Sequence, residues 1–161
     1  MYYLQKGFQI MTVMADNQFA PLAEMMYELP GALSLNLMST NEHEPYIERR
    51  IRVVKERAQA VRHSMPFTAI PSKMLTHMVF FVVKLLNLFP MKGRVSTEYS
   101  PKTIMSVQTI NYKQYSLPFG TYCQERNSLA ARTQGAILVG PSSNQQGGQL
   151  FFPLNTGRII T

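Results

Sequence analysis

Apolar residues recur along this chain in two rhythms, and the change of rhythm divides it. Gly7 to Ala15 is apolar and β-prone and stops at the polar run Asp16-Asn17-Gln18, which predicts a strand with Asp16 at its end. Leu22, Met25, Met26 and Leu29 then fall at helical spacing across Pro21 to Leu29. Pro30-Gly31 closes that segment, and Ala32 to Met38 is expected as a short strand. Pro45 suits the first turn of a helix, where a missing N–H costs nothing, and Ile47, Ile51, Val54, Ala58 and Val61 recur alternately four and three residues apart. This is the stripe of an amphipathic helix, ended by Pro66. Its other face carries Glu48, Arg49, Arg52, Lys55, Glu56 and Arg62. A second helix is expected from Pro71 to Leu88; its later half is apolar nearly all round, which predicts burial, and Pro90 and Gly93 close it.

Beyond it the texture turns to strands. Leu117 to Gln124, Gly135 to Val139 and Gln149 to Leu154 are short β-prone runs separated by Gly, Pro, Asn and Ser, and they predict a small barrel or sheet. Between the helices and this part, Met91 to Asn111 reads as a linker with a turn at Ser100-Pro101. The expected division is therefore 1–90, a linker over 91–114, and a β-domain over 115–161.

With 161 residues and 45% apolar content the chain can build a real core. From Arg57 onward eleven basic residues face two acidic ones, a field suited to a polyanion, of which nucleic acid is the commonest. The lone Cys123 cannot form an internal disulfide and fits a reducing compartment, nuclear or cytoplasmic. The longest apolar run, Met78 to Phe89, is broken by Lys84 and Asn87 and falls short of the roughly 20 residues that span a bilayer, so no membrane span is expected. The first residues have neither the basic head nor the apolar core of a signal peptide.

The chemistry worth testing is Asp16 at a strand end with Glu48 in the first turns of a helix. Mg²⁺ takes one or two carboxylates plus water and phosphate oxygens, and a metal pair can clamp both oxygens of a phosphodiester displacement. A helix N-terminus also favours a charged glutamate. Spacing alone does not separate this from a solvated helix face with an ion pair such as Glu48 with Arg52. His43-Glu44 lacks a second zinc ligand, because Ile47 stands where the next histidine belongs. His63 and His77 have no partner at ligand spacing, and Gly147-Gly148 lacks the lysine of a phosphate-binding loop. Tyr112, Tyr115, Phe119 and Tyr122, interleaved with Lys113 and Arg126, are either base-stacking residues or barrel core.

Four stretches carry a resemblance: NEHEPYIERRIRVVKER from Asn41 to Arg57, LPFGTYCQ from Leu117 to Gln124, RTQGAILVGPSSNQQGG from Arg132 to Gly148, and LNTGR from Leu154 to Arg158. With ADNQF at Ala15 to Phe19, they resemble the Pol polyproteins of Copia-class LTR retrotransposons, especially the diatom and oomycete members, nearly end to end. The resemblance implies an α/β chain: the rear of an RNase H-like integrase core lacking its N-terminal strands, followed by a small SH3-like β-barrel cut short. It implies a DDE-type polynucleotidyl transferase in which Asp16 is the second acid and Glu48 the third. The first acid has no counterpart here, so the fragment is expected to be inactive alone. Mg²⁺ or Mn²⁺ is the implied cofactor of the complete enzyme, and DNA, both element ends and target, the implied partner of a homo-oligomer. Arg52 and Lys55, four and seven residues after the glutamate, are the implied DNA contacts, with Arg49 beside them. Departures are Asn17-Gln18 where the family has Gly-Gly, Ala20 where an acidic residue is common, and Glu44 where a small apolar one is. The alternatives are a non-catalytic basic nucleic-acid-binding module, or degenerate element remnant, and an ordinary α+β interaction domain.

Overall fold

A computed structural model describes residues 2–28, 33–38, 45–90, 92, 96–125, 133–142, 144 and 146–161. The chain divides into two compact units, Met1–Arg52 and Val53–Thr161. Within the described residues the architecture is mixed α/β, with one two-stranded parallel sheet and one three-stranded antiparallel sheet. No helix of the described residues is long and apolar enough to cross a membrane.

The first unit opens with a helical turn, α1 (Tyr2–Gln5), ahead of the segment expected as a strand. The reason is Gly7, whose φ of 78° lets the chain reverse, while the Lys6 and Phe8 N–H groups both donate to the Tyr3 carbonyl, at 3.0 and 3.1 Å. This is a glycine-closed helix end. Strand β1 therefore begins only at Thr12 and runs to Asp16. It pairs in parallel with β2 (Ser34–Met38), so that Thr12 lies opposite Ser34 and Asp16 opposite Met38. Between them the expected helix is split into a 3₁₀ segment, Asn17–Leu22, and a short α2, Ala23–Tyr27. Leu29, Pro30, Gly31 and Ala32 lie outside the described residues. Both strands are exposed or half-buried at every position, and among the residues of this unit whose burial is described none is buried. That is unusual, because a parallel sheet is ordinarily covered on both faces.

Helix α3 (Pro45–Ser64) matches its amphipathic pattern and carries the boundary between the units. The apolar stripe is not used evenly: Ala58 and Val61 pack on the core of the second unit, whereas Ile47 and Ile51 are about half exposed at 49% and 48%.

In the second unit, α4 (Ser72–Leu86) turns Met74, Met78, Phe81 and Val82 inward. Their spacing of three and four residues makes one buried face. The burial expected of the later half is found at Phe81, Val82 and Leu88, which are buried, and at Val83, Leu85 and Leu86, which are half-buried, while Phe80 is exposed; in the earlier half Leu75 and Val79 are exposed as well. The expected linker contains order: α5 (Pro101–Ser106) begins where Ser100 Oγ accepts the Thr103 N–H at 3.1 Å, with Pro101 at the first helical position. A 3₁₀ turn, Tyr112–Tyr115, follows. Strands β3 (Tyr122–Glu125), β4 (Gln134–Pro141) and β5 (Gln149–Pro153) form an antiparallel sheet in the order β3-β4-β5. Phe151 adds an isolated bridge to Ile160. Among the described residues the sheet does not close into a barrel. Helix α4 packs on β4, and Met65, Met74, Met78, Phe81, Phe119, Val139 and Phe152 form the core, with the Phe81 and Phe119 rings 5.6 Å apart.

Candidate functional site

Asp16 is the last residue of β1, exposed, and its Oδ1 accepts the Asn17 N–H at 2.7 Å. It thereby caps the 3₁₀ segment that follows. One of its carboxylate oxygens is engaged in holding the turn. In a parallel sheet the carboxyl ends of the strands are the edge where ligands gather. Asp16 stands on this edge opposite Met38, and six residues separate Met38 from the start of α3 at Pro45.

Glu48 occupies the first turn of α3 and is exposed. Arg52 and Lys55 follow it at i+4 and i+7, which on a helix is the same side, and both are exposed. Arg49, also exposed, lies about a quarter-turn around. The helix can therefore present one carboxylate and a file of cations to solvent. Glu44 and His43 lie outside the described residues. No group of three or more His, Cys, Asp or Glu side chains converges to hold a metal among the described residues. A pair of carboxylates is still the number Mg²⁺ commonly takes from protein when phosphate and water complete its shell, so Asp16 and Glu48 fit that donor chemistry by type.

The aromatic set is divided by its surroundings. Phe119 is buried in the core and Tyr122 is exposed on β3. Tyr112 stacks on Phe89, rings 5.8 Å apart and 23° from parallel, while Tyr115 receives a hydrogen bond from Lys102 Nζ at 3.2 Å. Arg126 lies outside the described residues. His77 stands half-buried on α4, edge-on to Phe80, and His63 is exposed near the end of α3. Gly147 and Gly148 form a turn in which Asn144 Oδ1 accepts the Gly148 N–H at 2.7 Å.

Two features escape a reading of the sequence. One is an apolar cavity of about 490 Å³ in the second unit, bordered by Phe67, Met74, Tyr122, Phe152 and Leu154. Its lining comes from segments far apart in the chain, so no local pattern announces it. The other is a pair of half-buried lysines, Lys84 and Lys102. Its sequence signal is a lysine inside an otherwise apolar run. Lys84 Nζ donates to the Pro141 carbonyl at 2.9 Å, and its pKa is lowered from 10.5, first by burial and then by the neighbouring Lys102 charge.

No family model matches the chain, and no curated protein matches it.

Proposed function

We propose that this chain is a piece of a Copia-class retrotransposon integrase, a DDE-type polynucleotidyl transferase that joins element DNA to a genome. In this reading the first unit and the α3–α4 helices derive from an RNase H-like core, and the β3-β4-β5 sheet from the SH3-like domain behind it. The observation that carries it is the arrangement around Asp16: an acid at the carboxyl end of a parallel strand, whose neighbour leads to a helix with Glu48 in its first turn and Arg52 and Lys55 on the same side. The parallel pair of the first unit, exposed or half-buried at every position, supports it further, since a parallel sheet is ordinarily covered on both faces. Asp16 and Glu48 would hold Mg²⁺ or Mn²⁺, which when bound activates a water or a 3′-hydroxyl and offsets charge on the phosphorane. Arg52, Lys55 and Arg49 would grip backbone phosphates and fix the register of the DNA end.

The test is a strand-transfer assay with element-end DNA. The chain alone should not join DNA. Supplying an upstream strand that bears an acid should restore joining, and Glu48→Gln in that restored protein should abolish it with little change in salt-sensitive DNA binding. Joining by the chain alone would overturn the incomplete-site reading; joining that survives Glu48→Gln would overturn the catalytic one.

The second reading is a non-catalytic basic module that binds nucleic acid. It is favoured by the charge of the chain from Arg57 onward, eleven basic residues against two acidic, which needs no catalytic acid to attract a polyanion. It predicts DNA binding that weakens steeply with salt and is indifferent to divalent metal.

A further inference from the structure

Two ammonium groups in the second unit stand half-buried on neutral partners. Lys84 lies in the last turn of α4, and Lys102 in the first turn of α5. The two turns are tied together, because the Lys102 backbone N–H donates to the carbonyl of Asn87, the residue that caps α4 one turn beyond Lys84. Lys84 Nζ is 2.9 Å from the Pro141 carbonyl at the end of β4; Lys102 Nζ is 3.2 Å from the Tyr115 hydroxyl and 5.3 Å from the centre of its ring. The 3₁₀ turn bearing Tyr115 packs in its turn on β4, and Gln149 Nε2 fastens it by donating to the Gln114 carbonyl at 2.9 Å. Four separate elements thus set Lys102 on Tyr115 and hold Lys84, on Pro141, near enough to feel the Lys102 charge. Neither lysine is ion-paired among the described residues.

Like charges partly withdrawn from water repel each other and lose hydration. The depressed pKa of Lys84 reflects both losses. A counter-anion would reverse them. The donors left over define which one. An ammonium carries three N–H donors, and each lysine spends one on its neutral partner. The Tyr115 hydroxyl accepts from Lys102 and retains its own proton to give. Donors arriving from different elements suit a tetrahedral oxyanion better than a planar carboxylate, and lysine is a common point-charge partner of phosphate.

We propose that Lys84, Lys102 and the Tyr115 hydroxyl form a seat for one phosphate group, belonging either to free phosphate or to a polynucleotide backbone. The seat lies wholly in the second unit and does not depend on any role for Asp16 or Glu48.

The test is a titration of the full, unaltered chain bearing isotope-labelled lysine side chains, followed by NMR. Inorganic phosphate is added in one arm and a short oligothymidylate in the other, each against sodium chloride at matched ionic strength. Saturable movement of the Lys84 and Lys102 signals is expected, with Lys73, exposed in the first turn of α4, unmoved. Saturation by inorganic phosphate assigns the seat to the free anion. Saturation by oligothymidylate with inorganic phosphate inert assigns it to a nucleic-acid backbone. Lys102→Gln leaves the Lys84–Pro141 bond in place and should weaken the saturable ligand about tenfold or more, as expected for a charge-assisted hydrogen bond. Tyr115→Phe should weaken it less, while keeping the ring beneath Lys102. Movement that is linear and equal at Lys73 in both arms, or affinity unchanged in Lys102→Gln, overturns the proposal.

Discussion

Replacing Gly140 with alanine probes the junction on which the second unit is built. Gly140 sits at the irregularity where the β4–β5 register shifts, with φ of 122°, far from the conformations open to an L-residue. A Cβ there would stand 2.8 Å from Phe81 Cδ2, a buried ring of α4 already packed against Phe119. The backbone alone should cost about 1–3 kcal/mol. Forcing Phe81 to give way adds about 1–3 kcal/mol of overpacking. The internal control is Gly157→Ala: its φ of 61° is in the ordinary left-handed region, and its Cβ would meet Phe152 Cζ at a comfortable 3.7 Å. That change should cost about 1 kcal/mol, all of it backbone. Urea unfolding followed by near-ultraviolet circular dichroism reports the tyrosines and phenylalanines of this unit, since the chain has no tryptophan. Gly140→Ala should lower stability by about 2 kcal/mol more than the control, and adding Phe81→Leu should recover part of the difference through a coupling energy of about 0.5–3 kcal/mol. Equal losses for the two alanine variants, or no coupling with Phe81, would refute the close approach of α4 to the bulge.

Three further outcomes are expected. Lys84 has a lowered folded pKa, so between that value and 10.5 the unfolded chain binds more protons; stability should rise with pH across this alkaline window, and Lys84→Met should flatten the rise in pH-dependent melts. Ser100→Ala removes the acceptor for the Thr103 N–H at a position only 3% exposed, and should lower stability by about 1 kcal/mol or somewhat more in thermal unfolding. Under the proposed DNA role, Arg52→Ala and Lys55→Ala should each make the slope of log affinity against log salt shallower by roughly 0.9 for every duplex phosphate no longer neutralised, and an unchanged slope would remove those residues from the interface.

How much of the structure is legible in the sequence depends on how local each signal is. Helix α3 can be read because its stripe runs through 20 residues with Pro45 at its head, and the β3-β4-β5 strands because turn residues fence them. The opening strand is shorter than its β-prone run because Gly7, within that run, caps a helical turn instead. In the later half of α4 the apolar composition predicts burial, and Phe81 and Val82 are buried with Val83, Leu85 and Leu86 half-buried, yet Phe80 stays exposed; composition reports what a helix can bury, and packing decides what it does. Ser100-Pro101 fits a turn and is a helix start, since the same two residues serve both and Thr103 supplies the deciding N–H. The candidate site is legible by residue type and chain position, Asp16 at a strand end and Glu48 at a helix head. The role of Asp16 as a cap is not, because it depends on a bond only the folded turn makes. Nor is the Lys84–Lys102 pair, whose members are brought together by α4, α5 and β4 from well-separated stretches.

The contrast between the two sheets bears on how the molecule comes apart. Amide protons in β1 and β2 are guarded by a ladder with no buried side chain behind it among the described residues, so local opening should expose them at little free-energy cost. Those of β4, flanked by the buried Leu138 and Val139, should wait for the whole second unit to open. Deuterium uptake would then be graded along the chain, and a protease meeting it would trim the front long before it reached the rear.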